Sequence, residues 1–79
     1  MTIDVALEEL RSNETNIRFV RLVTIATTFF GSPRIKGSHY IFKMPWPGDP
    51  RINLQSERGK AKPYQVRQLI SALERLRGE

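Results

Sequence analysis

Three prolines in six residues, Pro45-Trp46-Pro47-Gly48-Asp49-Pro50, constrain this chain more than any other feature. Proline has no backbone N–H and a fixed φ, so this segment neither continues a helix nor lies inside a sheet. The chain on either side has strand character. From Ser38 to Met44 the side chains alternate, with Tyr40, Phe42 and Met44 on one side and His39, Ile41 and Lys43 on the other. From Arg51 to Ser56, Ile52 and Leu54 alternate with Arg51, Asn53 and Gln55. Alternation with period two predicts half-buried strands, here joined through the proline loop with their apolar faces turned to one core. The outer face then carries His39, Lys43, Arg51, Asn53 and Gln55 together. Arg34 to Lys36 predicts a further short strand, ended by the turn residue Gly37.

Helical periodicity frames this sheet. Pro63 suits a first helical position, and Val66, Leu69, Ile70, Leu73 and Leu76 trace one apolar stripe behind it. The opposite face reads as polar, with Gln65, Arg67, Gln68, Ser71, Glu74 and Arg75. Near the N-terminus, Thr2 to Leu10 predicts a short helix with Ile3, Leu7 and Leu10 on one side. Ser12 and Asn13 offer N-caps for a second helix running to Phe30, whose Phe19, Leu22, Val23, Ala26, Phe29 and Phe30 recur at helical spacing. The many Val, Ile and Thr in that segment suit a strand as well, but its length decides for helix. Gly31, Ser32 and Pro33 stop it. The expectation is an α+β domain, a three-stranded antiparallel sheet with helices on one face and the other face open.

A chain of 79 residues makes one domain near the lower limit for a single apolar core. It has no cysteine, which removes disulfide and thiolate chemistry. One histidine and scattered acids give no set of metal ligands, so neither metal nor another cofactor is expected. No apolar run reaches the roughly 20 residues that span a bilayer, and Asp4, Glu8 and Glu9 stand where a signal peptide is basic. A cytoplasmic protein with no membrane partner is expected.

The formal charge is +5, and its two signs are separated along the chain. Residues 1 to 16 hold Asp4, Glu8, Glu9 and Glu14 against Arg11, whereas residues 34 to 62 hold Arg34, Lys36, Lys43, Arg51, Arg58, Lys60 and Lys62 against Asp49 and Glu57. The positive field surrounds His39. Such a patch attracts a polyanion through counterion release, which places nucleic acid ahead of an acidic protein or a membrane surface.

An imidazole is the side chain suited to proton transfer near neutral pH, and lysine or arginine beside it stabilises a developing phosphorane. Histidine and cations on one strand therefore point to attack of a ribose 2′-hydroxyl on its own phosphate, with His39 as base or acid. The second group is open between Lys43, Tyr40 and water. The competing structural role is a histidine that caps a loop or hydrogen-bonds within the sheet. Lys36, Lys43, Arg51, Lys60 and Lys62 are candidate RNA contacts, each also readable as an ordinary surface cation. Trp46 offers a base-stacking surface but, between prolines, is better read as plugging the edge of the core. Asn53 and Gln55 position RNA or decorate the sheet.

Two runs also carry a family resemblance: Gly37-Ser38-His39-Tyr40-Ile41-Phe42, followed by a turn and an alternating strand, and Gly59-Lys60-Ala61-Lys62-Pro63-Tyr64-Gln65-Val66-Arg67-Gln68 leading into the closing helix. Together they resemble the HicA family of toxins, the small ribonuclease half of HicA/HicB toxin-antitoxin pairs. The resemblance covers about residues 17 to 77 and divides the chain into an acidic N-terminal extension, 1–16, and a HicA-like domain, 17–79. It implies an αβββα fold similar to double-stranded-RNA-binding domains and metal-independent endoribonuclease cleavage of mRNA. It also implies an essential catalytic histidine at His39 and a HicB-like antitoxin as partner. Tyr40 stands where many members have a second histidine. Two other function classes remain beside this one: a non-catalytic RNA-binding module of the same fold, and a protein-interaction domain.

Overall fold

The computed structural model describes residues 1–78. Its elements run α1 (Ile3–Ser12), α2 (Phe19–Phe30), β1 (Arg34–Lys36), β2 (His39–Lys43), β3 (Arg51–Gln55) and α3 (Pro63–Arg77). The strands form an antiparallel meander in the order β1-β2-β3. This is an α+β domain of three helices and a three-stranded sheet, with α2 and α3 packed on the sheet and α1 on α3.

Register follows the alternation. Tyr40 pairs with Leu54 and Phe42 with Ile52, so the apolar residues share the inner face. Phe42 and Leu54 are fully buried there, under α2 and α3. Gly37 occupies the first position of the two-residue turn between Lys36 and His39 with φ +60°, a conformation that a side chain disfavours and that tight hairpins require.

The second helix differs in its start from the sequence expectation. Ser12 and Asn13 do not open it: Ser12 ends α1, and Asn13 caps that helix, its backbone N–H donating to Leu10 O and its side-chain amide to Glu9 O at 2.8 Å. The helix begins at Phe19 behind Arg18, which makes no side-chain cap. After a turn at residues 13–16, Ile17 and Arg18 are held against a distant loop. Phe19 N donates to Gly59 O, and Ala61 N to Ile17 O, both at 3.0 Å. Local capping propensity lost to these two tertiary hydrogen bonds. Helix is nonetheless the right state for this Thr-rich segment, where Thr24 and Thr28 direct their hydroxyls back to Val20 O and Thr24 O.

Residues 1–16, set apart in the sequence by charge, belong to the same core as the rest. Ala6, Leu7 and Leu10 are fully buried, and α1 lies on α3 rather than on the sheet. Charged side chains of α1 other than Glu8 meet opposite charges on the other helices: Arg11 bonds Glu74, and Arg77 bonds Asp4. Arg21 on α2 makes a two-pronged bond to Glu9, Nε to Oε2 at 2.6 Å and Nη2 to Oε1 at 2.7 Å. The guanidinium holds the Glu9 carboxyl below its usual range, outweighing the opposing effect of partial burial. A carboxylate with a depressed folded-state pKa contributes stability above the ordinary value near 4.3, and that contribution disappears as pH falls through the lower folded value. Glu9→Gln is expected to cost about 0.5–1 kcal/mol at pH 7. In urea unfolding followed by circular dichroism, the gap between parent and variant should close below about pH 4. A gap that is constant with pH would mean that the pair contributes through packing and not through charge.

Leu76, expected on the apolar stripe of α3, is 38% exposed because the stripe drifts off the core in the last turn. Gln65, expected on the polar face, is 2% exposed, and Ala72 joins the core instead.

Candidate nucleic-acid interface

The open face of the sheet gathers most of the residues singled out in the sequence. Directly paired residues on an antiparallel sheet project to the same side, so the register defines three rows: Lys36, His39 and Gln55; Arg34, Ile41 and Asn53; Lys43 and Arg51. All but Ile41 and Gln55 are exposed, and those two are half-buried. No helix covers this face because α2 and α3 occupy the other one.

His39 opens β2 right after the turn, and its Nδ1 lies 3.2 Å from Asn53 Oδ1 on the adjacent strand. With the proton on Nδ1 the imidazole donates to Asn53, and Nε2 is left with its lone pair toward solvent. That tautomer makes Nε2 the basic atom and fixes the plane of the ring. Ser38 and Gln55 complete the edge, Gln55 Nε2 donating to Ser38 Oγ at 3.1 Å.

Two clefts flank the central row. One, of about 300 Å³, is lined by His39, Arg51, Asn53 and Gln55 together with Tyr64, Gln65 and Gln68 from the start of α3. The second, of about 430 Å³, lies on the other side of Arg51 and holds the cations Arg34 and Lys43. Arg51 borders both. Its Nη2 donates to Asp49 Oδ2 at 3.0 Å, across the end of the proline loop. Among the described residues, Arg34, Lys36 and Lys43 enter no ion pair, whereas Arg21, Arg67 and Arg77 pair with acids of residues 1–16. The N-terminal acids thus neutralise the helical side and leave the sheet side positive.

Several sequence candidates sit elsewhere. Lys60 lies in the loop before α3, bridged to Arg18 and Glu57, and its Nζ reaches Asn16 Oδ1 at 3.3 Å. Lys62 is the half-buried N-cap position of α3. Neither lines the clefts of the sheet face. Tyr40, open in the sequence as a proton-transfer partner, points to the inner face, where its ring meets Phe19 edge-on at 5.2 Å. The sheet itself separates it from His39. Lys43 is on the correct face, but four residues along the strand place its Cα about 13 Å away. Trp46 plugs the edge of the core, its ring edge-on to Phe30 at 6.1 Å and covered by Arg75 at 4.6 Å.

The residues that sequence reasoning left out of the site are Arg34, whose placement follows from strand pairing, and the group Tyr64, Gln65 and Gln68. Gln65 carries the most information. Its Oε1 accepts the backbone N–H of Gln55 at 3.2 Å, satisfying a donor on the outer edge of β3, and its Nε2 donates to Tyr64 Oη at 3.2 Å. The buried amide therefore joins α3 to the sheet edge and holds Tyr64 in place. A buried glutamine at a helix start gives no periodic signal by which to find it.

Among the described residues no three His, Asp or Glu side chains gather as a metal site, and no helix is long and apolar enough to cross a membrane. No family model, no curated protein and no solved structure matches this chain.

Proposed function

We propose that this protein is a metal-independent endoribonuclease that cleaves mRNA with His39, and that it is the toxin of a HicA/HicB-type pair, restrained in the cytoplasm by a HicB-like antitoxin over its basic face. The observation that carries the reading is the exposed His39 imidazole, oriented by Asn53 at 3.2 Å on a sheet face where Lys36 in the same row and Arg34 in the next enter no ion pair among the described residues.

In the proposed reaction His39 Nε2 removes the proton from a ribose 2′-hydroxyl. The 2′ oxygen forms a bond to phosphorus as the bond from phosphorus to the 5′ oxygen breaks. The products are a 2′,3′-cyclic phosphate and a 5′-hydroxyl, whose proton comes from solvent water in the open cleft. Arg51, whose Cα lies as far along the sheet as that of Lys43 but whose side chain lines the same cleft as His39, stabilises the extra negative charge on the phosphorane. With one positioned proton-transfer group instead of two, turnover is slow.

The test is incubation of the purified protein with a mixed-sequence single-stranded RNA in EDTA, with products resolved on a denaturing gel. New fragments ending in cyclic phosphate support the reading. Binding without fragments favours a non-catalytic RNA-binding module, and absence of both favours a protein-interaction domain. The cations have a separate readout. Replacing Lys36, Lys43 and Arg51 together with alanine should lower the slope of log affinity against log salt by about 2, three contacts at about 0.7 each on a single strand. An unchanged slope would remove these residues from the interface.

A further inference from the structure

A third cleft, of about 450 Å³, continues the His39 cleft toward the C-terminal part of α3. The two share Arg51, Tyr64 and Gln68. Its floor is apolar, from Met44, Ile52 and Ala72, and its rim carries Arg51, Arg67 and Arg75, of which Arg51 meets Asp49 at 3.0 Å, Arg67 meets Glu14 at 3.9 Å and Arg75 lies over Trp46. Tyr64 stands at the junction of both clefts and is 49% exposed. We infer that this cleft is a subsite for one unpaired nucleobase, stacked on the Tyr64 ring, so that the RNA cut at His39 is single-stranded at that point. The inference rests on the ribonuclease reading above.

The chemistry of the cleft matches a nucleoside. A base needs a flat apolar surface and a polar group at its edge, with cations nearby for the phosphates on either side. Tyr64 supplies the surface, and Gln68, one helical turn further along, supplies the amide. The ring is already fixed before RNA arrives: Gln65, 2% exposed, donates to its hydroxyl at 3.2 Å while accepting from Gln55 N on the sheet. An aromatic held in this way loses little conformational freedom on binding. Trp46 does not serve the same purpose, since Arg75 covers its ring at 4.6 Å and Phe30 packs against it edge-on. A duplex keeps its bases stacked inside the helix and presents none to a recess of this kind.

The experiment uses the full chain carrying His39→Ala, with fluorescence anisotropy on a labelled single-stranded RNA octamer in EDTA. Tyr64→Ala is expected to weaken binding by about 5- to 150-fold, the size of one base-aromatic stack, whereas Tyr64→Phe, which keeps the ring and loses only the hydroxyl that Gln65 holds, should lose much less. Moving an abasic ribose along the octamer should reproduce the loss at one position, and that loss should be absent in Tyr64→Ala. Thermal unfolding of both variants checks that Tyr64, a surface residue, has not been exchanged for a folding defect. Equal affinity for the octamer and its duplex, or equal losses for the Phe and Ala variants, would overturn the subsite. If the protein with His39 intact cuts RNA and Tyr64→Ala binds unchanged, the subsite fails and the ribonuclease reading stands. No binding to any RNA would remove both.

Discussion

Replacing His39 with alanine is expected to lower RNA cleavage in EDTA by about 10²–10⁴-fold while leaving the fold intact, the usual contribution of one positioned acid-base group. In transition-state terms that is about 3–5 kcal/mol. The folded state should not register the change, because His39 is exposed and its side-chain partner among the described residues, Asn53, is exposed as well. Surface substitutions of this kind stay within about 0.5 kcal/mol. Cleavage measured under single-turnover conditions, beside an unfolding curve of the same preparation, separates the two effects. The same substitution should relieve growth arrest on expression. Cleavage by the alanine variant at the parental rate would assign the activity to another group or to a contaminant, and the oriented imidazole would then be only a strand residue bonded across the sheet.

The largest expected effect on stability lies at the other end of the chain. Leu10→Ala should destabilise the protein by about 2–5 kcal/mol, since Leu10 is completely buried and the surrounding helices cannot close the space it leaves. A domain of this length has about 4–12 kcal/mol in total, so the variant is expected to be partly unfolded at growth temperature. Urea denaturation with an unchanged m-value would report this as lost stability of one cooperative unit. A cost below about 1 kcal/mol would instead show that α1 is an appendage to an independently stable remainder. The distinction bears on function, because the helix that supplies Leu10 also supplies Glu9 and Asp4, the acids that pair with Arg21 and Arg77.

Much of the architecture is legible in local pattern. The proline loop, the alternation on both sides of it and the stripe from Val66 to Leu73 depend on interactions within a few residues, so the strands, their inner faces and α3 follow from the order of residues alone. The shared outer face of His39, Lys43, Arg51, Asn53 and Gln55 follows too, given antiparallel pairing in one register. Expectation and structure part where a distant segment competes with local preference. Ser12 and Asn13 are good N-caps, yet the chain turns after them and the loop at Gly59 to Ala61 holds Ile17 and Phe19, so that the helix starts at Phe19.

The amino-acid sequence is thus sufficient for which residues of the strands and of most of α3 face the core, which face carries the histidine and the cations, and how the two signs of charge separate along the chain. The distribution of those charges in space is a property of the packed molecule. Packing α1 on α3 brings N-terminal acids to the helical bases, while Lys60 is drawn to Asn16 and away from the sheet face. Packing also puts Tyr40 behind the sheet and buries Gln65, which holds Tyr64 beside His39. The difference is one of range. Strand alternation and helical stripes are set by steric and hydrophobic preferences that repeat every two to four residues. The neighbours of a polar side chain depend instead on which elements pack together, and a buried amide such as Gln65 finds its partners only after that packing exists.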